Sequence, residues 1–192
     1  MAKKKFVLYL ASVSPRRREI LRKMKIPFRQ VKSLYREKNI PKLSPEELVL
    51  RHAAGKAKRA VTPSKGLVLG ADTLVGCYNR IFGKPKNHRE AFEMLKTLSG
   101  RAHWVYTGVA LWDQRTKKIA TGTAKTKVIF HKFSDEEILN YMKHVHSFDK
   151  AGAYAIQEKP RIVKRIAGSY SNVMGLPRTL LRKMLRKLRT RE

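Results

Sequence analysis

Leu67-Val68-Leu69-Gly70-Ala71-Asp72-Thr73 decides how this chain is read. Five small or apolar residues without alternation describe a strand buried on both faces, as the central strands of α/β sheets are. The polar pair Asp72-Thr73 then predicts the strand's end, with a carboxylate at its carboxyl end, where open α/β sheets receive ligands. An aspartate there is equally a turn residue closing a strand, and the stretch alone leaves both readings open.

Helix signals lie on either side. Upstream, Ser44-Pro45-Glu46-Glu47 combines an N-cap serine, proline at the first helical position and a capping-box glutamate, which predicts a helix to about Ala60. Downstream, Asn87-His88-Arg89-Glu90 opens a helix with Phe92, Met94, Leu95 and Leu98 as its apolar face, stopped by Ser99-Gly100. Phe6 to Ala11 reads as a short buried strand, Ser14-Pro15 as the cap of a helix ended by Pro27, and Phe28 to Val31 as extended. A short strand pair is expected from Leu74 to Phe82, and residues 102–111 and 118–130 form a hairpin about Asp113-Gln114-Arg115-Thr116. Ser134 caps a helix to about His144, Ala151 to Ile156 and Arg161 to Ile166 read as strands, and Pro177 to Leu188 is a basic amphipathic helix. With no long linker or repeat, the expectation is a mixed α/β fold in one domain, 1–192.

Composition bounds the function. The chain has 192 residues, 42% hydrophobic and 30% charged, which is globular rather than disordered. Its longest apolar run, Leu67 to Tyr78, is too short to cross a bilayer and is interrupted by Asp72. No secretory leader is recognisable, and the single Cys77 excludes an internal disulfide framework and any multi-cysteine zinc site, so a cytoplasmic location is expected. Lys and Arg number 44 against 14 Asp and Glu, a formal charge of +30. That field attracts nucleotides, nucleic acids and anionic surfaces alike. The last helix could lie on RNA or anionic lipid; the expectation is that its leucines dock on the core and its cations face water.

Scarce carboxylates make a sieve. Most fall at helix starts, where they complement the dipole; Glu37, Asp72, Asp149 and Glu158 have no obvious structural duty. Ser12-Val13-Ser14-Pro15-Arg16-Arg17 joins a strand to a helix N-terminus, which can present backbone N–H groups and two guanidinium forks to an anion, or is an N-cap followed by surface arginines. Lys84, in Gly83-Lys84-Pro85, and Lys56 read alone as solvated cations. Gln157 follows the small-residue run 151–155 and either reads a base edge or satisfies a turn. The histidines lack metal spacing, and Walker A, G-x-S-x-G and dinucleotide motifs are absent.

Taken in order, Leu10-Ala11-Ser12-Val13-Ser14-Pro15-Arg16-Arg17, Gly70-Ala71-Asp72-Thr73, Gly83-Lys84-Pro85, Leu98-Ser99-Gly100-Arg101-Ala102-His103, Tyr106-Thr107-Gly108-Val109, Asp149 through Gln157, and Val173-Met174-Gly175-Leu176-Pro177 resemble the Maf family of nucleotide pyrophosphatases. The resemblance implies an elongated mixed sheet flanked by helices, with two lobes around a deep cleft, similar to the inosine triphosphate pyrophosphatase fold. It implies hydrolysis of a nucleoside triphosphate to monophosphate and diphosphate, assisted by Mg²⁺ or Mn²⁺, in a homodimer. The Gly-Lys-Pro motif and the segment ending in Gln157 resemble the branch acting on dTTP and UTP rather than the one taking 7-methyl-GTP.

Carried onto this chain, the resemblance makes Asp72 the catalytic proton acceptor, with Glu37 and Asp72 toward the metal. Ser12, Arg16, Arg17, Lys56 and Lys84 would hold the phosphates, while Arg16, Thr73 and Gln157 match positions associated with base preference. Two departures stand out: Glu158 and Ala155 replace glycines usual in the family, and segment 32–37 has Glu37 as its only carboxylate. The competing readings are a basic RNA-binding protein and a division regulator acting through protein contacts.

Overall fold

The computed structural model describes residues 7–38 and 40–189, without the side chain of Arg189; Phe6, at the head of the expected first strand, lies outside them. The elements in order are β1 (Leu8–Leu10), α1 (Pro15–Lys23), β2 (Arg29–Gln30), α2 (Pro45–Lys58), β3 (Leu67–Cys77), β4 (Arg80–Phe82), α3 (His88–Leu98), β5 (Ala102–Asp113), β6 (Lys118–Phe130), α4 (Asp135–His144), β7 (Val163–Ala167), α5 (Tyr170–Val173) and α6 (Arg178–Arg189). They form a mixed α/β fold about one seven-stranded sheet, ordered β2-β1-β3-β5-β6-β7 with β4 on β3. β1 pairs parallel with β2 and with β3, placing Tyr9 beside Val68, whereas β3–β4 and β6–β7 are antiparallel. No helix among the described residues is long and apolar enough to cross a membrane.

The helices start where their caps place them. Ser44 and Ser134 each accept from the backbone N–H three residues on, and Glu47 and Glu137 return the bond to the cap residue's own N–H. The Ser44 bonds to its carboxylate hold Glu47 below the usual carboxylate pKa. Asn87 caps α3 through Glu90 N–H. Ser14 departs from expectation: it occupies the N-cap position of α1 without a side-chain cap, and Ser12 Oγ instead accepts from Ser14 N–H.

The chain falls into two compact units. The first comprises the chain to Asp72, Thr107–Ala124 and Gly175 onward; the second is Thr73–Tyr106 with Lys125–Met174. In the first, α2 packs on the sheet through small residues: Tyr9, Ala11, Ala53, Ala57, Val68 and Ala110 form one buried cluster. A Cβ at Gly70 would lie 2.2 Å from Ala53 O and 2.8 Å from Ala57 N, and one at Gly108 2.3 Å from Val49 O. Helix backbone thus rests almost on strand backbone, a separation that only glycine permits. In the same unit α6 buries Leu181 and Met184 and leaves Arg182, Lys183, Arg186 and Lys187 exposed, as the docking reading expects. Arg189, on the same expected cationic face, falls outside the described side chains.

The second unit is organised around aromatic edges. Phe130 lies T-shaped to His103 and to Tyr154, with centroids 4.7 and 4.8 Å apart, and His103 Nε2 meets Tyr154 Oη at 3.0 Å. Segment 151–156 is not a strand, contrary to its apolar pattern. Gly152 and Ala153 have φ of 69° and 64°, in the left-handed region, so the chain turns tightly there and tucks Tyr154 inward. The following strand is Val163–Ala167, with a register shift between Ile129 and Phe130 on its partner.

Two outcomes follow. Burial pushes His103 down to about 4, so between its unfolded value near 6.5 and that value the unfolded chain binds a proton the folded one refuses. Stability from this group is complete above pH 6.5 and falls by about 3 kcal/mol as pH drops toward 4. His52, also lowered chiefly by burial, acts in the same sense. Urea midpoints measured against pH should show this step, and His103→Gln should flatten it. Gly70→Ala should cost about 2–3 kcal/mol by urea denaturation, since α2 has to lift from β3 to admit one methyl group.

Candidate active site

β3 does not stop at Asp72. It continues without a break to Cys77, and Asp72 lies inside it, 4% exposed. The expected strand end is therefore a buried mid-strand carboxylate, held by sheet hydrogen bonding on a neighbouring backbone rather than by a loop. Successive side chains in a strand alternate, so Asp72 projects on the side of Gly70, the side against which α2 is packed. That close approach brings Lys56 of α2 to the carboxylate: Lys56 Nζ donates to Asp72 Oδ1 at 2.6 Å.

The same ammonium stands 2.7 Å from Glu37 Oε1. One lysine, its side chain 15% exposed, thus joins a buried carboxylate to a half-exposed one. Asp72 Oδ2 is buried without a hydrogen-bond partner. An ionised oxygen without a partner is costly to bury, and it marks the point where a water or cation has something to gain.

Arg17 is buried rather than a surface arginine. Its Nε donates to Gly175 O at 2.8 Å and its Nη1 to Ser12 Oγ at 3.1 Å. Burial lowers its pKa, an effect Asp72 partly offsets and neighbouring Arg16 reinforces. Gly175 adopts a φ of 99°, so the Gly175-Leu176-Pro177 stretch of the expected motif acts as the acceptor that fixes this guanidinium. The first unit therefore brings Ser12, Arg17, Glu37, Lys56 and Asp72 into one set of linked contacts, with half-buried Arg16 beside Arg17.

Thr73, Lys84 and Gln157 belong to the second unit. Thr73 is the next residue along β3, and Lys84 and Gln157 are exposed. Gly152 N–H donates to Gly83 O at 3.0 Å, tying the Gly83-Lys84-Pro85 turn to the left-handed turn that leads toward Gln157. The two other unassigned acids have a structural duty after all. Lys150, 4% exposed, is held by Asp149 at 2.7 Å, by Glu158 at 3.5 Å and by the His146 carbonyl. Glu158, which stands where the family usually has glycine, is thus a counter-charge to a buried lysine.

Two residues near the carboxylates escaped the sequence reading. His52, 1% exposed, shares a hydrogen bond with Tyr35 Oη at 3.1 Å. The available signal was Gly55, a helix-weakening residue in the last turn of α2 whose place follows from the Tyr35 ring.

Among the described residues no group of three or more His, Cys, Asp or Glu converges on a point that could hold a metal. Two oxygen-bearing carboxylates near one another do suit a hard cation such as Mg²⁺ or Mn²⁺, which keeps several waters and takes one or two carboxylates beside substrate phosphates.

Comparison with known proteins agrees with the sequence motifs. The model of the Maf-like protein family matches residues 7–188. A protein of Alkaliphilus oremlandii (strain OhILAs) named dTTP/UTP pyrophosphatase is 47% identical over 173 residues, covering 88% of this chain and 90% of its own. Proteins of the same name are 46% identical in Citrifermentans bemidjiense, covering 88% and 89% of the two chains, and 43% identical in Carboxydothermus hydrogenoformans, covering 94% and 97%. With the family match spanning nearly the whole chain, and relatives of over 40% identity covering most of it, this protein belongs to the Maf family.

Proposed function

We propose that the protein hydrolyses dTTP and UTP to the nucleoside monophosphate and diphosphate. The observation that carries this is the buried Asp72 carboxylate, with one oxygen on the Lys56 ammonium that it shares with Glu37, the other without a hydrogen-bond partner, and the whole within the field of Arg17. The names of the relatives, dTTP/UTP pyrophosphatase, supply the substrate class.

The reaction asks little covalent chemistry of the protein. Water adds to the α-phosphorus, the bond from that phosphorus to the α–β bridging oxygen breaks, and diphosphate leaves. In this proposal Asp72 Oδ2 accepts the water's proton, since its other oxygen is committed to Lys56. Arg17, fixed at both Nε and Nη1, and Ser12 hold the phosphates without reorganising, and Arg16 adds a second guanidinium. Lys56 balances the negative charge of Asp72 and Glu37, which otherwise repel a polyphosphate. Asp72 and Glu37 would hold Mg²⁺ or Mn²⁺, a Lewis acid that neutralises charge on phosphate oxygens. Lys84 toward phosphate, and Thr73 and Gln157 toward the base, keep the roles their motifs imply. A homodimeric, cytoplasmic state belongs to the same proposal.

Diphosphate release from dTTP, UTP, CTP and 7-methyl-GTP, with Mg²⁺ or Mn²⁺, tests the reading. Turnover should concentrate on dTTP and UTP, and Asp72→Asn should lower it by about a thousandfold or more, as loss of the proton acceptor and of one anionic ligand together requires. Turnover of 7-methyl-GTP in preference would overturn the substrate assignment, and an active Asp72→Asn protein would overturn the catalytic one.

A further inference from the structure

We propose that Tyr35, His52 and Gly55 form a latch that positions Glu37 in the site; this rests on reading that site as hydrolytic. Three alternate side chains of the segment after β2 reach α2 in succession. Ser33 Oγ donates to Lys56 O at 2.9 Å, Tyr35 Oη meets His52 Nδ1 at 3.1 Å, and Glu37 Oε1 meets Lys56 Nζ at 2.7 Å. Backbone bonds hold the start of the segment: Val61 N–H donates to Lys32 O at 2.8 Å and Leu34 N–H to Arg59 O at 2.9 Å. Beyond Leu34 the half-buried Tyr35 side chain ties the segment to α2 two residues before Glu37, whose own side chain is half exposed.

A half-exposed glutamate has many rotamers, and an ion pair to Lys56 ties its head group without fixing the backbone that carries it. Tyr35 supplies what that pair lacks. Its hydroxyl is bound to a histidine 1% exposed, and its ring lies where a Gly55 Cβ would be, 2.2 Å from Tyr35 Cε2. The helix accepts glycine in its last turn, where alanine favours helix formation, and the space so opened is filled by this ring. Such a sacrifice of local preference is expected where function requires one geometry. Tyr35, His52 and Gly55 touch neither reacting atoms nor phosphate in this scheme; they are positioning residues acting through Glu37.

The test is a double-mutant cycle on UTP hydrolysis, with hydrogen exchange of the peptide spanning residues 33–38 as a readout independent of turnover. Tyr35→Phe, which keeps the ring and removes the hydroxyl, should lower kcat/KM by about tenfold in the otherwise native protein, the scale of a small misplacement. In a Glu37→Gln background it should cause no further loss, because a residue acting only through Glu37 has nothing left to position. Gly55→Ala, which displaces the Tyr35 ring, should likewise lower kcat/KM, and both variants should exchange faster over 33–38 by more than any change in their urea midpoints accounts for. Additive losses in the cycle, or exchange as slow as in the native protein, would overturn the latch. If the native protein releases no diphosphate at all, the hydrolytic reading has failed instead, and the exchange comparison still decides whether Tyr35 holds the segment.

Discussion

The approach of α2 to the sheet is the constraint on which the rest of the site depends. At Gly70 the helix backbone lies where a Cβ would be, and at Gly108 it does so again. Two contact points on adjacent strands fix both the height and the direction of the helix over β3 and β5. Lys56, one turn past Ala53, then has no choice but to lie beside Asp72. An ion pair of this burial is a weak source of stability, since desolvating both charges offsets most of their attraction. The packing of α2 on the sheet through small residues brings the two charges together.

Charge acts at two distances. Far from the surface, a net +30 draws any polyanion toward the protein, polyphosphates included. Around Asp72 the charges are more nearly balanced: Asp72 and Glu37, two of only fourteen acids, sit together around one ammonium. Lys56 and Arg17, with Arg16 beside it, still outnumber these two carboxylates, so the neighbourhood stays cationic. The other pair of unassigned acids, Asp149 and Glu158, shows the same economy around Lys150. In a chain so poor in acids, each buried cation that needs a counter-charge determines where the few carboxylates go.

Helices were legible because their signals are local. Ser44, Asn87 and Ser134 cap where their side chains predict, since a cap is an interaction over three residues. Strands were legible in most of their places but not always in extent or in existence. Asp72-Thr73 looked like a strand end, yet β3 runs through it because Lys56 and the neighbouring strands compensate a buried charge that a lone strand could not carry. Ala151 to Ile156 looked like a strand because its residues are small and apolar; the left-handed Gly152 and Ala153 follow from the space Val75 and Tyr154 leave for that turn, which no window of sequence contains.

The sequence alone determined the α/β class, the helix starts, the scarcity of acids that singled out Asp72 and Glu37, and the motifs that mark the Maf family. Those properties depend on neighbours along the chain or on composition, and both are written in one dimension. Only the tertiary structure decided that Arg17 is anchored by Gly175, that Glu158 answers Lys150, and that Tyr35 reaches His52 over Gly55. Each of those contacts joins residues from different elements, and its energy comes from removing a charge or a hydroxyl from water against a partner that the fold, not the local sequence, brings near.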